Sequence, residues 1–381
     1  MSQPAFLRTT FAPSSPPPKI ARDFLAHWRQ NLFGDLKSSL VSVLIAVLAV
    51  FALPPLWRFL VTDAVWSAPD GVLCRAPGAG ACWAYIKAKT PFFLYGSYPQ
   101  EFTWRVDLAF ALAAILIVWL LWPRAKHKGA AAMGFFVILP LLGFALLHGA
   151  PWLGLPVVGT HLWGGVMVSL LAALAGIVVA LPGGIVLALG RRSNLPVARV
   201  LSAGLIEFVR GVPLIAVLFM ANTMLPLFLP PDWSPDRLLR PLAGIALFAS
   251  AYMAEVVRAG LMAVPPGQTE GAQALGLGRF ATLRLVVLPQ ALGAVIPGIV
   301  NNFIALFKDT TLVAIVGIFD FLRTVDTARL DPVWAGPTIA ATGYVFAALF
   351  YLVFCLAMSL YSQNVEKRLG GTGRHQRRNE I

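Results

Sequence analysis

The chain has 381 residues, of which 58% are hydrophobic and only 12% are charged, about half the charged share of a soluble domain. This composition excludes an ordinary soluble enzyme. It predicts an all-α protein that crosses a membrane several times, because each crossing needs about 20 mostly apolar residues folded as a helix. The net charge of +13 would suit nucleic acid, but that interpretation needs a soluble domain with a basic face, and we find none.

Eight stretches are long and apolar enough to cross a membrane. The predicted spans are residues 39–60, 105–122, 131–148, 164–189, 206–229, 241–261, 287–313 and 338–361. The first apolar run begins near residue 39 and is too long for the apolar part of a cleavable signal peptide, so we expect it to remain as an anchor.

Residues 1–37 precede the first span and form a predicted cytoplasmic tail. The run FAPSSPPP at 11–18 predicts disorder, because it cannot form a helix or pack a core. Apolar residues then recur at helical spacing, which predicts an amphipathic helix. These apolar residues are Phe24, Leu25, Trp28, Leu32, Phe33 and Leu36. The helix lies either on the inner membrane surface or against protein in the cytoplasm, and both interpretations stay open.

Lysine and arginine gather in the connections on one side of the membrane. The connection 149–163, on the other side, contains neither residue. The basic residues of the first side are Arg8, Lys19, Arg22, Arg29, Lys37, Arg124, Lys126, Lys128, Arg191, Arg192, Arg199, Arg279, Arg284, Lys367, Arg368, Arg374, Arg377 and Arg378. Because cytoplasmic connections carry the excess of positive charge, both termini are predicted to be cytoplasmic.

Two of the three cysteines share the long outer loop 62–104. Cys74 and Cys82 lie close together in sequence, and an oxidising compartment would allow them to bridge. We expect a disulfide here, and two unpaired thiols in a mobile loop are the alternative. Cys355, in the last span, is expected to be a small buried apolar side chain.

The stretch EGAQALGLGRFATLRLVVLP, residues 270–289, interrupts the apolar runs between the sixth and seventh spans. It predicts two short helices joined by a glycine elbow: one from 268 to 275, a turn at Gly276 and Gly278, and one from 279 to 288 that Pro289 ends. We expect the Glu270 carboxylate near the positive end of the first helix dipole. The small side chains of Ala272 and Ala274 would let another protein approach closely.

Sequence signatures of catalysis are missing. The chain has no G-x-x-x-x-G-K-[ST] motif, so we expect that it does not bind or hydrolyse ATP itself. GLGRFA at 276–281 fits a loose dinucleotide pattern, but that motif needs a preceding strand, and the residues before Gly276 favour helix. Five scattered histidines give no metal-binding pair, and we expect no catalytic residue and no metal site.

The spacing E-G-A-x₃-G-x₉-V-x-L-P over 270–289 resembles the EAA loop of ABC importer permeases. The family pattern has alanine at the position of Gly271 and often isoleucine at that of Val286. Three further stretches resemble the polar amino-acid branch of the family. They are EFVRGVPL at 207–214, AYMAEVVRAGLMAVPPGQ at 251–268 and NNFIALFKDTTL at 301–312. The resemblance covers about residues 160–365. The additional N-terminal spans resemble the M-type permease subunit of general L-amino-acid importers.

The resemblance implies a type I importer core in the bacterial inner membrane. A three-span extension, 38–160, would precede a five-span core, 161–365, with a basic tail at 366–381, and the 265–289 loop would form the coupling helix. Implied partners are a homologous permease, giving a heterodimer, two copies of an ATP-binding subunit that holds ATP and Mg, a periplasmic binding protein, lipid and an L-amino-acid substrate. The implied ATPase-docking residues are Glu270, Gly271, Ala272, Ala274, Leu275, Gly276, Leu277, Gly278 and Arg279.

Charged and polar residues of the other stretches allow two roles. Glu207 with Arg210, and Glu255 with Arg258, are three residues apart, a spacing that predicts ion pairs holding helix ends. The same two roles are open for the adjacent residues Lys308 and Asp309, which could anchor the far end of the seventh span. Contacts with a passing amino acid are expected from Tyr252, Asn301 and Asn302.

Two other classes of membrane protein compete with this interpretation. A secondary transporter driven by an ion gradient usually has carboxylates near the middle of its spans and inverted repeats, and we find no convincing repeat. A receptor or structural anchor would not need a long polar loop of this pattern. Uptake that persists without ATP in the presence of an ion gradient would favour the secondary transporter.

Overall fold

The computed structural model describes residues 32–122, 124–230 and 235–376, with side chains up to Lys367. The proline-rich run and most of the expected amphipathic helix lie outside these residues, as do the last five residues of the basic tail. The chain divides into two compact units, of which the first ends at Ala64 and the second begins at Val65.

The first unit contains one hydrophobic helix, span one. The helix Leu36–Trp57 continues through a π-helical turn, Arg58–Thr62. Asp35 caps its beginning, because the side-chain carboxylate accepts a hydrogen bond from the backbone N–H of Ser38 at 3.1 Å.

The second unit contains the remaining spans. They are span two, Gln100–Leu121, span three, Lys128–His148, span four, Gly165–Arg191, span six, Leu239–Ala263, span seven, Ile296–Val316, and span eight, Ile339–Lys367. The helix of span eight runs on to Gln376. The bent pair Pro196–Gly211 and Leu214–Phe228 makes span five. The described residues form helices and three isolated bridges, and they confirm the predicted all-α fold with seven or eight crossings.

Span five differs from the straight helix predicted over 206–229. Its two helices meet at an angle of 106°, and the first of them begins ten residues earlier, at Pro196. Val212 is extended, with φ −106° and ψ 135°, because the ring of Pro213 disfavours a helical conformation in the residue before it. The sequence RGVP therefore ends one helix and starts another in a new direction.

Span seven is also shorter at its beginning than the predicted 287–313. A separate helix, Leu288–Ala294, ends at Val295, and the spanning helix starts at Ile296 with Pro297 in its first turn. Proline fits there because the backbone N–H groups of the first turn have no partner within the helix, so the N–H that proline lacks is not needed.

Spans four and six form the centre of the core through small residues. A side chain at Gly183 would meet Ser250, and one at Gly184 would meet Met253, so glycine lets the two helices approach closely. The hydroxyl of Ser250 is satisfied within its own helix, where it donates to the carbonyl of Ala246 at 2.7 Å. The other core helices pack around this pair.

Residues 65–98, which we call the disulfide segment, are folded rather than an open loop. They contain a short turn, Leu73–Arg75, and the helix Trp83–Tyr95, which the sequence analysis did not predict. The helix buries Tyr85 and Phe93 beside Phe321, Trp334 and Phe346. A second unpredicted helix, Phe321–Ala328, lies on the other side of these rings.

Hydrogen bonds fix the disulfide segment to the connection before span eight. Arg75 donates from Nε to the carbonyl of Ala335 at 2.8 Å and from Nη2 to that of Val333 at 2.7 Å. Lys89 forms an ion pair with Asp331. Because these partners are 242 to 260 residues away in sequence, the segment joins distant parts of the second unit.

Candidate functional site

The loop 265–289, which we call the docking loop, begins directly after span six. Pro265 is extended and ends that helix, and Pro266 starts the next one, Pro266–Ala274. Glu270 lies in the middle of this helix and not in its first turn, so the expected benefit from the helix dipole is wrong. The Glu270 side chain is exposed, and no hydrogen bond or ion pair from it is found within the described residues.

Gly276 makes the elbow of the docking loop. Its φ of +81° lies in the left-handed region, and no atom would stand within 4 Å of an added Cβ, so the backbone and not the available space requires glycine. The N–H of Gly276 donates to the carbonyl of Gln273 at 2.9 Å, and that of Leu277 donates to Ala272 at 3.2 Å. This pair of bonds is a Schellman motif, which ends the helix and satisfies its last carbonyls.

The second half of the docking loop is longer than predicted. A helical turn, Arg279–Thr282, continues through a π-helical turn, Leu283–Val287, into the helix Leu288–Ala294. Pro289 therefore lies in the first turn of a helix and does not end one. Gln290 donates to the side-chain oxygen of Gln268 at 3.2 Å, which joins the two ends of the loop.

The docking loop presents apolar side chains to its surroundings. Leu275 is 86% exposed and Phe280 is 74% exposed. Ala274 and Arg279 are exposed as well, whereas Ala272 is buried against its own chain. Of the residues expected to dock a partner, Ala272 is therefore covered by its own chain, whereas Ala274, Leu275 and Arg279 are exposed.

A cavity of about 520 Å³ lies at the bend of span five. It is bounded by the bend itself and by the facing sides of spans six and seven. Its lining residues are Arg210, Gly211, Val212, Pro213, Leu214, Phe248, Ala249, Tyr252, Asn302, Ala305, Leu306 and Asp309. We call it the bend cavity.

The polar side chains of the bend cavity include both signs of charge. Arg210 supplies a guanidinium, and its carbon atom Cζ lies 5.4 Å from the ring centre of Tyr252, a cation–π distance. Asp309 supplies a carboxylate, and Asn302 supplies an amide. A zwitterion presents a carboxylate and an ammonium group, so these side chains are chemically complementary to it.

The sequence analysis found part of this cavity. Tyr252 and Asn302, which were expected on a substrate pathway, line it, and Asn301 is exposed outside the lining. Arg210 and Asp309 were assigned to helix ends, and the structure brings them into the same cavity. The missed signal is the dipeptide Val212–Pro213, which predicts an extended break two residues after Arg210.

The charged residues near the bend form a cluster instead of two separate pairs. Glu255 bonds to Arg258 with Oε2 to Nη2 at 2.8 Å, as the spacing predicts. Glu207 and Arg210 both lie on the helix Pro196–Gly211, but Glu207 pairs with Arg191 and Arg210 lies near Glu255 of span six. Arg191, at the end of span four, lies between two acids, 2.6 Å from Glu255 and 2.9 Å from Glu207. Arg210 lies 3.5 Å from Glu255.

The two cysteines of the predicted outer loop are joined. Cys74 and Cys82 form a disulfide, and both are fully buried. The backbone N–H of Cys82 donates to the hydroxyl of Thr342 at 3.0 Å, so the bridge is fixed to the start of span eight. Cys355 is free and half-buried.

Comparison with known proteins identifies the family. The family of binding-protein-dependent transport system inner membrane components matches residues 180–371. The inner membrane amino-acid ABC transporter permease protein YhdY of Escherichia coli K12 is 47% identical over 346 residues, which cover 91% of this chain and 93% of that protein. The chain belongs to this family. It is a permease subunit of an ABC importer, a multi-pass inner membrane protein whose family relies on a separate ATPase.

A second relative agrees with this result, and one solved structure is similar over part of the chain. The glutamate/glutamine/aspartate/asparagine transport system permease protein BztC of Rhodobacter capsulatus is 38% identical, over 97% of this chain and 99% of that protein. A chain in the crystal structure of an amino acid ABC transporter with histidines is 27% identical, with a TM-score of 0.47, over 54% of this chain and 92% of that chain. The family membership favours the importer over the ion-driven secondary transporter.

Proposed function

We propose that this permease subunit carries L-amino acids into the cell and that the bend cavity is part of their path. The observation that carries the proposal is that Arg210 and Asp309, of opposite charge, line one cavity at a break in a membrane span. The names of the relatives YhdY and BztC, both amino-acid permeases, support the same substrate class.

Within the cavity, Arg210 would bind the α-carboxylate of the substrate and Asp309 its ammonium group. A guanidinium can donate two parallel hydrogen bonds to a carboxylate, which fixes orientation as well as position. Tyr252 and Asn302 would contact the remaining polar atoms. Broken helices are typical of substrate paths in membranes, because freed backbone groups are tolerated only where they line a cavity or are buried in protein.

The docking loop would bind a separate ATPase on the cytoplasmic side. The exposed apolar pair Leu275 and Phe280 supports this role, since apolar groups of this size on a wet surface are typical of protein interfaces. Exposed Glu270 would pair with a basic residue of the ATPase. The basic connections support an orientation in which the loop and both termini face the cytoplasm.

The complete transporter would contain this chain, a homologous permease, two copies of the ATPase and a periplasmic binding protein. ATP and Mg would be bound by the ATPase and not by this chain. Closure of the ATPase pair would move the docking loop, and the loop would move spans six and seven, to which its ends are joined.

Uptake measurements test the cavity. In proteoliposomes that contain the complete transporter, Arg210→Gln and Asp309→Asn should each lower the uptake of isotopically labelled amino acids by roughly ten- to hundredfold, the cost of losing a charged hydrogen bond. Asn302→Ala should lower uptake less.

The neighbouring residue gives a matched control. Asn301→Ala should leave uptake unchanged, because Asn301 is exposed and does not line the cavity. Uptake that is equally unaffected by Arg210→Gln, Asp309→Asn and Asn301→Ala would refute the cavity as the substrate path.

A further inference from the structure

The guanidinium of Arg210 has two possible partners. It lines the bend cavity, and its Nη1 atom also lies 3.5 Å from Oε1 of Glu255. That distance is the longest of the contacts that Glu255 makes with arginine, since Arg191 and Arg258 lie at 2.6 and 2.8 Å. Arg210 is thus the most weakly held of the three cations around this carboxylate.

Glu255 does not need Arg210 to stay paired. Oε1 has a short bond from Arg191, and Oε2 has bonds from Arg258 at 2.8 and 2.9 Å. The Glu255 side chain is only 18% exposed, so leaving it unpaired would be costly. Because two arginines remain beside Glu255 after Arg210 leaves, the release of Arg210 costs less free energy than the breaking of an isolated ion pair.

We propose that Glu255 is a positioning residue that holds Arg210 beside the empty bend cavity and releases it to the carboxylate of an entering substrate. The proposal rests on the proposed function of the cavity. The substrate carboxylate and Glu255 compete for the guanidinium of Arg210. A stronger contact between Arg210 and Glu255 therefore lowers the affinity of the cavity for the substrate.

The release would be felt outside the cavity. Arg210 is in the last turn of the helix Pro196–Gly211, and Glu255 is on span six, which leads through Val264 into the docking loop. Separation of Arg210 from Glu255 loosens the contact between these two helices. Occupancy of the cavity therefore changes the packing of span six, and the docking loop begins where span six ends. An ATPase bound to the loop would respond to this change.

Two variants should act in opposite directions. Glu255→Gln removes the competing charge, so the affinity of the cavity for amino acids should rise about fivefold, the factor expected for a partly exposed ion pair. Arg258→Gln removes a rival of Arg210, so Glu255 holds Arg210 more tightly and the affinity should fall by a similar factor. A merely structural role of the cluster would lower the affinity in both variants.

The cluster offers a control and can tolerate the changes. Glu207→Gln alters the other partner of Arg191, is 66% exposed and does not contact Arg210, so it should change the affinity much less than Glu255→Gln or Arg258→Gln. In Glu255→Gln, Arg191 keeps Glu207 as its partner, and Arg258, at 35% exposure, reaches water. We therefore expect the variant to assemble, and Arg258→Gln provides the independent test if it does not.

The measurement is equilibrium binding to the complex of this chain with its companion permease and ATPase, without the binding protein. The probe is a mixture of isotopically labelled proteinogenic L-amino acids, with the bound fraction identified by mass spectrometry. The ATP hydrolysis of the same complexes is also measured, and Glu255→Gln should raise the rate without substrate about fivefold toward the substrate-stimulated rate.

The outcomes separate the two proposals. If Arg210→Gln abolishes binding while Glu255→Gln and Arg258→Gln both behave like Glu207→Gln, the positioning role is wrong and the cavity stands. If the unmodified complex retains none of the labelled amino acids and Arg210→Gln transports normally, the cavity itself is wrong. A fall in affinity in both Glu255→Gln and Arg258→Gln would also overturn the positioning role.

Discussion

The disulfide segment and the docking loop both connect hydrophobic spans, yet they are stabilised in different ways. The disulfide segment buries Tyr85 and Phe93 among other aromatic rings. It also donates hydrogen bonds to backbone carbonyls that are distant in sequence. The docking loop is held by local hydrogen bonds and leaves Leu275 and Phe280 uncovered. The first arrangement completes its own core, and the second is typical of a surface that another protein covers.

The difference indicates where motion can occur. Hydrogen bonds and an ion pair join the disulfide segment to the connection before span eight and to the start of that span, and the covalent bridge closes the segment on itself. The docking loop and the charged cluster have contacts that can be exchanged singly, as between Arg210 and its two partners. We expect the disulfide segment to stay rigid while the docking loop moves with its ATPase.

The largest effect should come from removal of the disulfide. The double variant Cys74→Ser, Cys82→Ser should lose about 2–3 kcal/mol of stability, because the unfolded chain is no longer constrained by the bridge. Thermal unfolding of the purified protein in mild detergent should show a midpoint several degrees lower. Addition of a reducing agent to the unmodified protein should also lower the midpoint.

Cys355→Ser is the matched control for that experiment, since Cys355 is unbridged. It should change the midpoint little, whereas an unchanged midpoint in the double variant would mean that the aromatic packing alone fixes the segment. In the double variant the main change should be in the unfolding midpoint and the change in uptake should be small, because the disulfide is not part of the proposed path.

A smaller effect should come from Asp320, which caps the helix Phe321–Ala328. Its carboxylate accepts hydrogen bonds from the N–H groups of Leu322 and Arg323, both at 3.0 Å, and burial raises the pKa of Asp320 to about 6. The folded protein therefore binds a proton here more tightly than the unfolded chain, whose aspartate has a pKa of about 4. The contribution of Asp320 to stability is greatest below pH 4 and is lost as the pH rises to about 6.

Asp320→Asn separates the cap from the charge. Asparagine keeps the capping oxygen but cannot ionise, so the variant should gain about 2 kcal/mol relative to the unmodified protein between pH 4 and pH 7. Midpoints of thermal unfolding measured across this range would show the change. If both proteins lose stability in parallel as the pH rises, Asp320 is not the responsible group.

The sequence predicted the parts of the fold that depend on local composition. Apolar runs of sufficient length located every span, and Gly276 predicted the elbow because few other residues adopt its backbone conformation. The bridge between the two cysteines was predicted from their position in one loop that was expected to lie outside. These features need no knowledge of distant residues, which is why one sequence was enough.

The missed features depend on contacts between distant residues. The helix Trp83–Tyr95 is stabilised by rings from the end of the chain, and its own sequence gives a weak helical pattern. The place of Arg210 in the cavity depends on the direction of the bend and on spans six and seven. Spacing of three residues predicted a pair with Glu207, but Arg210 pairs instead with Glu255, which is contributed by span six.

The smallest effect on stability should come from the elbow of the docking loop, where two glycines give a matched pair. Gly276→Ala places a Cβ at φ +81° and should cost about 1 kcal/mol, whereas Gly278→Ala at φ −65° should cost little. An added Cβ meets no atom within 4 Å at either position, so the backbone conformation is the difference between them.

Gly276→Ala should lower the amount of ATPase that copurifies and the rate of ATP-driven uptake, while insertion in the membrane is unchanged. Equal copurification with both variants would show that the shape of the elbow does not govern docking, and the exposed face at Ala274 and Leu275 would then have to act independently of it.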